Sequence, residues 1–171
     1  MSLSVLALGV ALGDADNGVH EQGGNNTGPK IRRYLKNCDP PINVAAPWCA
    51  AGLQYWSDIA AQAWDVPNPL DAVRLEAYVQ SYYEWAKAGD RVVPVANAEP
   101  GDLVLYNFGG KRWDHIGMVL KPLSGGMLAA IEGNTSPGVG ASADEREREG
   151  DGVYIKVRVI TRQPIAIVRW T

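Results

Sequence analysis

The amino-acid sequence predicts an α+β fold in which the helices come first and an antiparallel sheet follows. In the first half of the 171-residue chain, apolar residues recur at helical spacing. In the second half they form short runs bounded by glycine and proline, which is typical of strands joined by hairpin links. One such change of period in a chain of this length indicates a single domain, residues 1–171, with the helices packed on the sheet.

Four helices are predicted in the first half, and the third has the strongest signal. Pro47 begins it, and Cys49, Leu53, Trp56 and Ala60 fall on one face. Proline also suits the first turn of the second helix, at Pro29. The predicted ranges are 3–12, 29–37, 47–65 and 71–88.

The second half predicts about five strands. Their ranges are 103–108, 116–120, 127–131, 154–160 and 165–170. Residues 136–152 contain a run of charges that alternate in sign, 144–149, so we expect an exposed loop there.

Composition excludes several classes of protein. Hydrophobic residues make up 46% and charged residues 20%, which argues against a disordered chain. The net charge of −3 argues against a dedicated nucleic-acid binder. Two cysteines and two histidines are too few for a disulfide framework and for most structural zinc sites.

No apolar run is long enough to span a membrane. The longest, over residues 3–12, has about half the required ~20 residues. No lysine or arginine precedes it, so the charged start of a signal peptide is missing. We therefore expect a helix of the mature fold there, and no export signal in the chain.

Cys49 is predicted in the first turn of the third helix. The positive end of the helix dipole and the unpaired N–H groups of that turn favour a thiolate over a thiol. A lone cysteine on an apolar stripe is equally consistent with an inert core residue, and position alone does not separate the two interpretations. Cys38 falls at a helix end and is interpreted as structural. A Cys38–Cys49 disulfide in an oxidising compartment would block the nucleophile.

Three polar residues of the predicted sheet could complete a catalytic site with Cys49. His115 begins a strand, and Glu132 ends the apolar run of the next strand. A histidine and a carboxylate on hairpin neighbours can meet across the strands. Asn134 shares a face with Glu132 if the strand continues. The arrangement is that of a nucleophile, a base and a group that orients the base, although each residue alone also fits a structural role.

Six segments, which follow one another along the chain in the order found in the family, resemble the CHAP family of cysteine- and histidine-dependent amidohydrolases and peptidases. Pro47-Trp48-Cys49-Ala50-Ala51 is similar to the nucleophile motif, Asp114-His115-Ile116-Gly117 to the histidine strand, and Ile131-Glu132-Gly133-Asn134 to the acid and amide segment. The other three similar segments are 18–29, 101–106 and 152–158.

The resemblance implies a papain-like fold and a thiol hydrolase that degrades the cell wall. The substrate would be peptidoglycan, cleaved either as an N-acetylmuramoyl-L-alanine amidase or as an endopeptidase of the stem and cross-bridge peptides. By position in the motifs, Cys49 is the nucleophile, His115 the general base and acid, Glu132 the orienting acid and Asn134 a supporting group. Trp48, Trp113 and Asp114 flank these residues and are candidates to line the substrate groove, with core packing as the alternative for the tryptophans.

The resemblance requires no cofactor and no catalytic metal. Some relatives bind calcium, and residues 14–18 weakly resemble an oxygen-ligand loop, but a capping turn fits them better. Relatives that act as endolysins or autolysins often carry a separate wall-binding module, for which 171 residues leave no room. We expect a monomer that acts at the bacterial wall or periplasm, delivered by phage lysis machinery, a virion or a secretion system.

Three other interpretations remain open at this stage. The same residues could serve a cysteine peptidase or transferase that acts on proteins. The chain could be a catalytically silent module that binds the cell wall or a protein. A zinc site of Cys49, His115 and Glu132 is a minor further option.

Overall fold

The computed structural model describes residues 1–109, 111–137 and 150–171 of the chain. Within these residues, four α-helices come first and six antiparallel strands follow. The helices are α1 (Leu3–Asp16), α2 (Pro29–Asn37), α3 (Cys49–Trp64) and α4 (Val79–Ala88). The strands are β1 (Val92–Val93), β2 (Leu103–Tyr106), β3 (His115–Leu123), β4 (Met127–Thr135), β5 (Gly152–Val159) and β6 (Ile165–Val168).

The strands form one antiparallel sheet in the order β1-β6-β2-β3-β4-β5. Its central hairpin joins β3 to β4 through the Gly125-Gly126 turn, where both glycines have positive φ. The predicted α+β class, with helices and an antiparallel sheet, is confirmed. Over the described ranges the sheet has six strands where about five were predicted, because the two-residue β1 is too short to give a periodic signal.

Helices cover one face of the sheet and build the main core there. α1 and α3 pack on each other, and α3 also contacts β3 and β4. The sheet contributes alternate residues to this core, among them Leu103, Leu105, Ile116 and Ile131. The intervening residues face the other way into a smaller cluster that includes Val104, Tyr106 and Val119. This alternation follows from the period of two in a strand.

Several predicted boundaries were wrong. α4 begins at Val79 and not at residue 71, because residues 69–72 form a 3₁₀ turn and Leu75 has the left-handed φ of 59°. α3 begins at Cys49, two residues after Pro47. β3 and β4 continue to Leu123 and Thr135, beyond the apolar runs that defined them in the sequence.

α1 continues to Asp16, four residues beyond its predicted end at residue 12. The reason is Asp14, which is buried and serves as a hydrogen-bond hub between helices. It accepts hydrogen bonds from the Tyr34 hydroxyl (2.6 Å) and the Trp56 indole (2.8 Å). Its other oxygen pairs with Lys30 at 2.9 Å. A buried carboxylate with three donors joins α1, α2 and α3.

In the described part of the chain, no helix combines the length and the apolar character that crossing a membrane requires. The charged run 144–149, expected to be an exposed loop, lies outside the described residues.

Candidate active site

Cys49 is the first residue of α3 and is almost completely buried, with 5% of its surface exposed. The first α-helical hydrogen bond runs from the Gly52 N–H to the Trp48 carbonyl, at 2.8 Å. The N–H of Cys49 therefore precedes the helical ladder and lies at the positive end of the helix. This position places a backbone donor beside the thiol.

His115 is the first residue of β3, paired with Tyr106 of β2, and is completely buried. Its Nε2 lies 2.8 Å from Oε2 of Glu132. Its Nδ1 is buried and makes no hydrogen bond of standard geometry. The Cys49 thiol is nevertheless near enough to raise the pKa of the imidazole. With Nε2 committed to Glu132, Nδ1 is the ring nitrogen left for the thiol.

Glu132 reaches His115 diagonally across the hairpin and not from the directly opposite position. Its direct partner on β3 is Gly117. A Cβ atom at Gly117 would lie 2.7 Å from Cγ of Glu132 and 2.6 Å from the Ile131 carbonyl oxygen. The absence of a side chain at residue 117 therefore creates the space through which the carboxylate extends to the histidine.

Arg158 of β5 binds the same carboxylate. No role was predicted for this residue from the sequence. Its Nη2 donates to Oε2 of Glu132 at 2.6 Å, and its Nε donates to Oε1 at 3.1 Å. The guanidinium also lies over the rings of Tyr106 (5.3 Å) and Phe108 (5.2 Å). The two-point geometry fixes the orientation of Glu132. The sequence signal of Arg158 was its place at the end of segment 152–158, one of the six that resemble the CHAP family.

Opposite charges fix the protonation states of the buried pair. Burial alone lowers the pKa of His115, but the Glu132 charge, the nearby Cys49 thiol and the hydrogen bond to Glu132 outweigh it and raise the pKa to about 9. Burial raises the pKa of Glu132, but Arg158 and His115 outweigh that effect and lower the pKa to about 2. At neutral pH the site therefore holds an imidazolium next to a carboxylate.

Aromatic rings enclose the histidine. Tyr106 stacks on the imidazole at 5.9 Å between centroids, and Phe108 lies 5.8 Å away. Burial and the charge of Glu132 raise the pKa of Tyr106, so its hydroxyl stays protonated. These rings exclude water from one side of His115 and strengthen the electrostatic interactions within the site.

The three candidates for the substrate groove occupy different environments. Trp48 is completely buried: its indole N–H donates to Glu21 at 2.9 Å, and its ring packs on Gly52 and Gly133. Trp48 thus packs the start of α3 against β4 at Gly133, the residue that follows Glu132. Trp113 is half-buried against Tyr83, and Asp114 accepts a hydrogen bond from the Phe108 N–H at 3.2 Å.

Asn134 is buried near the end of β4, two residues after Glu132. The pairing of β4 with β5 is irregular between Glu132 and Thr135, and Asn134 has a left-handed φ of 55°. β4 thus continues through Asn134 to Thr135, as the prediction required, although its pairing with β5 is irregular there.

The remaining candidates for chemistry lie elsewhere. Both cysteines are free thiols, and Cys38 is buried with its Sγ 3.6 Å from the Tyr34 carbonyl oxygen. Burial, Glu76 and Asp58 raise the pKa of Cys38 to about 12. Within the described residues, no three or more histidine, cysteine or acidic side chains are arranged to hold a metal ion. In the segment interpreted as a weak calcium loop, the Asp14 oxygens are taken by Tyr34, Trp56 and Lys30.

No family model matches this chain, and neither a curated protein nor a solved structure shows significant similarity to it. The resemblance to the CHAP family therefore rests on the six motifs and their order.

The site joins a thiol, an imidazole and a carboxylate in one chain of contacts. The thiol of Cys49 adjoins His115, His115 bonds to Glu132, and Glu132 is held by Arg158. This arrangement can form a thiolate–imidazolium pair, attack a carbonyl carbon and return a proton to a leaving group.

Proposed function

We propose that the protein is a cysteine-dependent amidohydrolase of peptidoglycan with a papain-like fold. The observation that carries the proposal is the convergence of Cys49, His115 and Glu132 in one buried site, with the cysteine at a helix start. A structural cysteine needs neither an adjacent imidazole nor a carboxylate behind that imidazole. The acid is itself fixed by Arg158, as expected for a residue that must orient a base.

The reaction would proceed in two steps. The Cys49 thiolate attacks the carbonyl carbon of the amide, and His115 donates its proton to the nitrogen as the C–N bond breaks. The products of this step are a thioester on Cys49 and a free amine. His115, now neutral, takes a proton from water as the water attacks the thioester, which releases a carboxylic acid and restores the thiolate–imidazolium pair.

The helix start would stabilise the oxyanion formed in each step. The backbone N–H of Cys49 lies before the first helical hydrogen bond and at the positive end of α3. A donor fixed in a dry site before the reaction begins stabilises developing negative charge without reorganisation.

The choice of substrate comes from the motifs, which are similar to those of wall hydrolases. Either the N-acetylmuramoyl-L-alanine bond or a peptide bond of the stem or cross-bridge would suit the chemistry. An enzyme of this kind acts at the bacterial wall or periplasm, and phage lysis machinery, a virion or a secretion system would deliver it there.

The direct test is the release of soluble fragments from purified sacculi by three proteins. The wild type should release fragments, Cys49→Ala should release none, and the matched control Cys38→Ala should act at the wild-type rate. Release by Cys49→Ala at the wild-type rate would show that the proposed mechanism is wrong.

A parallel digestion separates this proposal from a peptidase or transferase that acts on proteins. Muropeptides and an unstructured protein are offered side by side, and products are identified by mass. Cleavage of the muropeptides alone supports the wall hydrolase, whereas cleavage of the protein alone would assign the same residues to proteolysis.

A further inference from the structure

We propose that a cationic shelf beside the active site binds free carboxylates of the substrate's peptide. The shelf consists of Tyr78, Tyr83, Lys87, Arg112 and Trp113. The inference rests on the proposed function, because it assigns a substrate class to that same site: acidic peptides rather than amidated ones.

The shelf is built where residues 111–114 lie against the outer face of α4. The Trp113 ring packs on Tyr83 with centroids 4.9 Å apart. The Trp113 N–H donates to Oε1 of Gln80 at 3.0 Å. Gln80, Tyr83 and Lys87 are spaced by three and four residues, so they share one face of the helix. Helix and loop therefore form one continuous surface.

Two cations are held on the aromatic rings of this surface. The Arg112 guanidinium lies 5.3 Å from the centroid of Tyr78, and the Lys87 ammonium lies 5.9 Å from that of Tyr83. Both cations are exposed, as is 37% of the surface of Tyr78. Contact with the ring faces restrains the two charges at the surface, which lowers the entropy lost when they bind a ligand.

Neither cation forms an ion pair with another described residue. The ion pairs found within residues 1–109, 111–137 and 150–171 involve other basic side chains: Lys30, His115, Arg158 and Arg169. The carboxylates of Glu84 and Asp114 accept hydrogen bonds from the Gln80 amide at 3.2 Å and from the Phe108 N–H. In a chain of net charge −3, this local positive charge is complementary to an anionic ligand.

The shelf lies next to the reacting residues. Trp113 is two residues before His115, which limits their Cα atoms to about 7 Å apart. On the opposite face of α4, Tyr82 is buried, and its hydroxyl bonds to Gln54 of α3 at 3.1 Å. A peptide whose amide reaches Cys49 can therefore extend its neighbouring residues across the shelf, where a carboxylate would meet Arg112 or Lys87.

The test measures the binding of two matched muropeptides to the Cys49→Ala protein by titration calorimetry. One carries free carboxylates on its stem peptide, and the other carries the same carboxylates as amides. We expect the free acid to bind about tenfold more tightly than the amide at low salt. Arg112→Gln and Lys87→Gln should each reduce that preference by a factor of about three. The preference should also shrink at high salt.

Arg33→Gln, which removes an exposed cation of α2, is the control and should leave the preference unchanged. Equal affinity for the two muropeptides, no detectable binding of either, or an equal loss with Arg33→Gln would overturn the proposal. Binding needs no turnover, so the shelf and the proposed function fail separately. A wild-type protein that hydrolyses neither muropeptide, while Cys49→Ala still prefers the acid, would reject the hydrolase and retain the shelf.

Discussion

At the scale of single residues, the environments of the two cysteines set them apart. Cys49 begins a helix next to an imidazole, whereas Cys38 is buried near Glu76 and Asp58, which together with burial raise its pKa to about 12. The thiolate is the reactive form, so the raised pKa keeps Cys38 as an unreactive thiol at neutral pH.

Limited alkylation with iodoacetamide at neutral pH tests this difference. We expect incorporation of one label, located at Cys49 by peptide mass analysis and formed faster than on an ordinary thiol. His115→Gln should slow the labelling, because it removes the partner of the thiolate. Preferential labelling of Cys38, or labelling of Cys49 no faster than a free thiol, would favour a catalytically silent module.

Glu132→Gln tests the role of the buried carboxylate. The amide keeps the shape but removes the charge that raises the pKa of His115, so this pKa should fall from about 9 toward or below its ordinary value. We expect kcat/KM to decrease by about 10²- to 10⁴-fold. Titration of the His115 ring by NMR and kinetic assays measure the two effects.

Glu99→Gln is the matched control, since this exposed carboxylate pairs with Arg169 away from the site. It should change neither the titration of His115 nor the activity. A Glu132→Gln protein with wild-type activity would remove the carboxylate from the mechanism.

At the scale of the elements, the central hairpin of β3 and β4 brings Glu132 and His115 together. Glu132 and His115 meet because Gly117, between them on β3, has no side chain. The Glu132–Arg158 pair then ties β4 to β5 on the same face. The geometry of the site is thus a property of three neighbouring strands.

Gly117→Ala should disrupt this geometry. The added Cβ would approach the Ile131 carbonyl oxygen to 2.6 Å and Cγ of Glu132 to 2.7 Å, and backbone of a central strand cannot easily yield. We expect the free energy of unfolding to fall by about 1 to 3 kcal/mol and activity to be lost. Chemical denaturation with parallel activity assays measures both.

Gly9→Ala provides the control on α1, where an added Cβ meets nothing within 4 Å. It should stabilise the protein by about 0.5 to 1 kcal/mol and preserve activity. If Gly117→Ala behaved like Gly9→Ala, the space at residue 117 would not be what places the carboxylate.

Periodicity predicted most elements, because their buried faces are apolar and regular. The stripe of α3 and the apolar runs of β2 and β4 are examples. It failed where polar contacts decide the structure. α1 extends through Asp14 because this carboxylate is buried under Tyr34, Trp56 and Lys30, which are distant in sequence.

The residues of the candidate site that local sequence patterns mark could be predicted. The helix start marked Cys49, and the strand ends marked His115 and Glu132. Arg158 could not be assigned, because its role depends on the register between β4 and β5, which no local pattern determines. The burial of Trp48 likewise depends on Gly133, on a strand far along the chain.

At the scale of the whole molecule, buried ionisable groups make stability depend on pH. His115 has a pKa raised to about 9, so its contribution is complete below about 6.5 and is lost as pH rises through 9. Glu132 has a pKa lowered to about 2, so its contribution is complete above about 4.5 and is lost as pH falls through 2. Both contributions are complete between about pH 4.5 and 6.5.

Glu76 acts in the opposite direction in that range. Burial and the charges of Asp58, Asp71 and Asp39 outweigh the hydrogen bond from the Asp39 N–H and raise the pKa of Glu76 to about 7. Its ionisation in the folded protein therefore costs stability as pH rises from about 4.5 to 7. In the wild type, the free energy of unfolding should fall by about 2 to 3 kcal/mol over that interval because of Glu76, and Glu76→Gln should abolish this decrease.

Denaturant unfolding of both proteins at several pH values measures this difference. The wild type should lose stability between pH 5 and 7 relative to Glu76→Gln, and the two curves should run parallel above that range. Curves that are parallel throughout would mean that Glu76 ionises normally in the folded protein.

The central claim is that Cys49, with His115 and Glu132, hydrolyses an amide bond of peptidoglycan. Mass spectrometry of fragments from peptidoglycan of defined structure tests it most directly, because one measurement identifies both the bond and the reaction. We predict that the wild type and Cys38→Ala produce fragments with a new amine and a new carboxylate, together heavier than the parent by one water. Cys49→Ala should produce none. The same fragments from Cys49→Ala, or cleavage confined to glycosidic bonds, would contradict the claim.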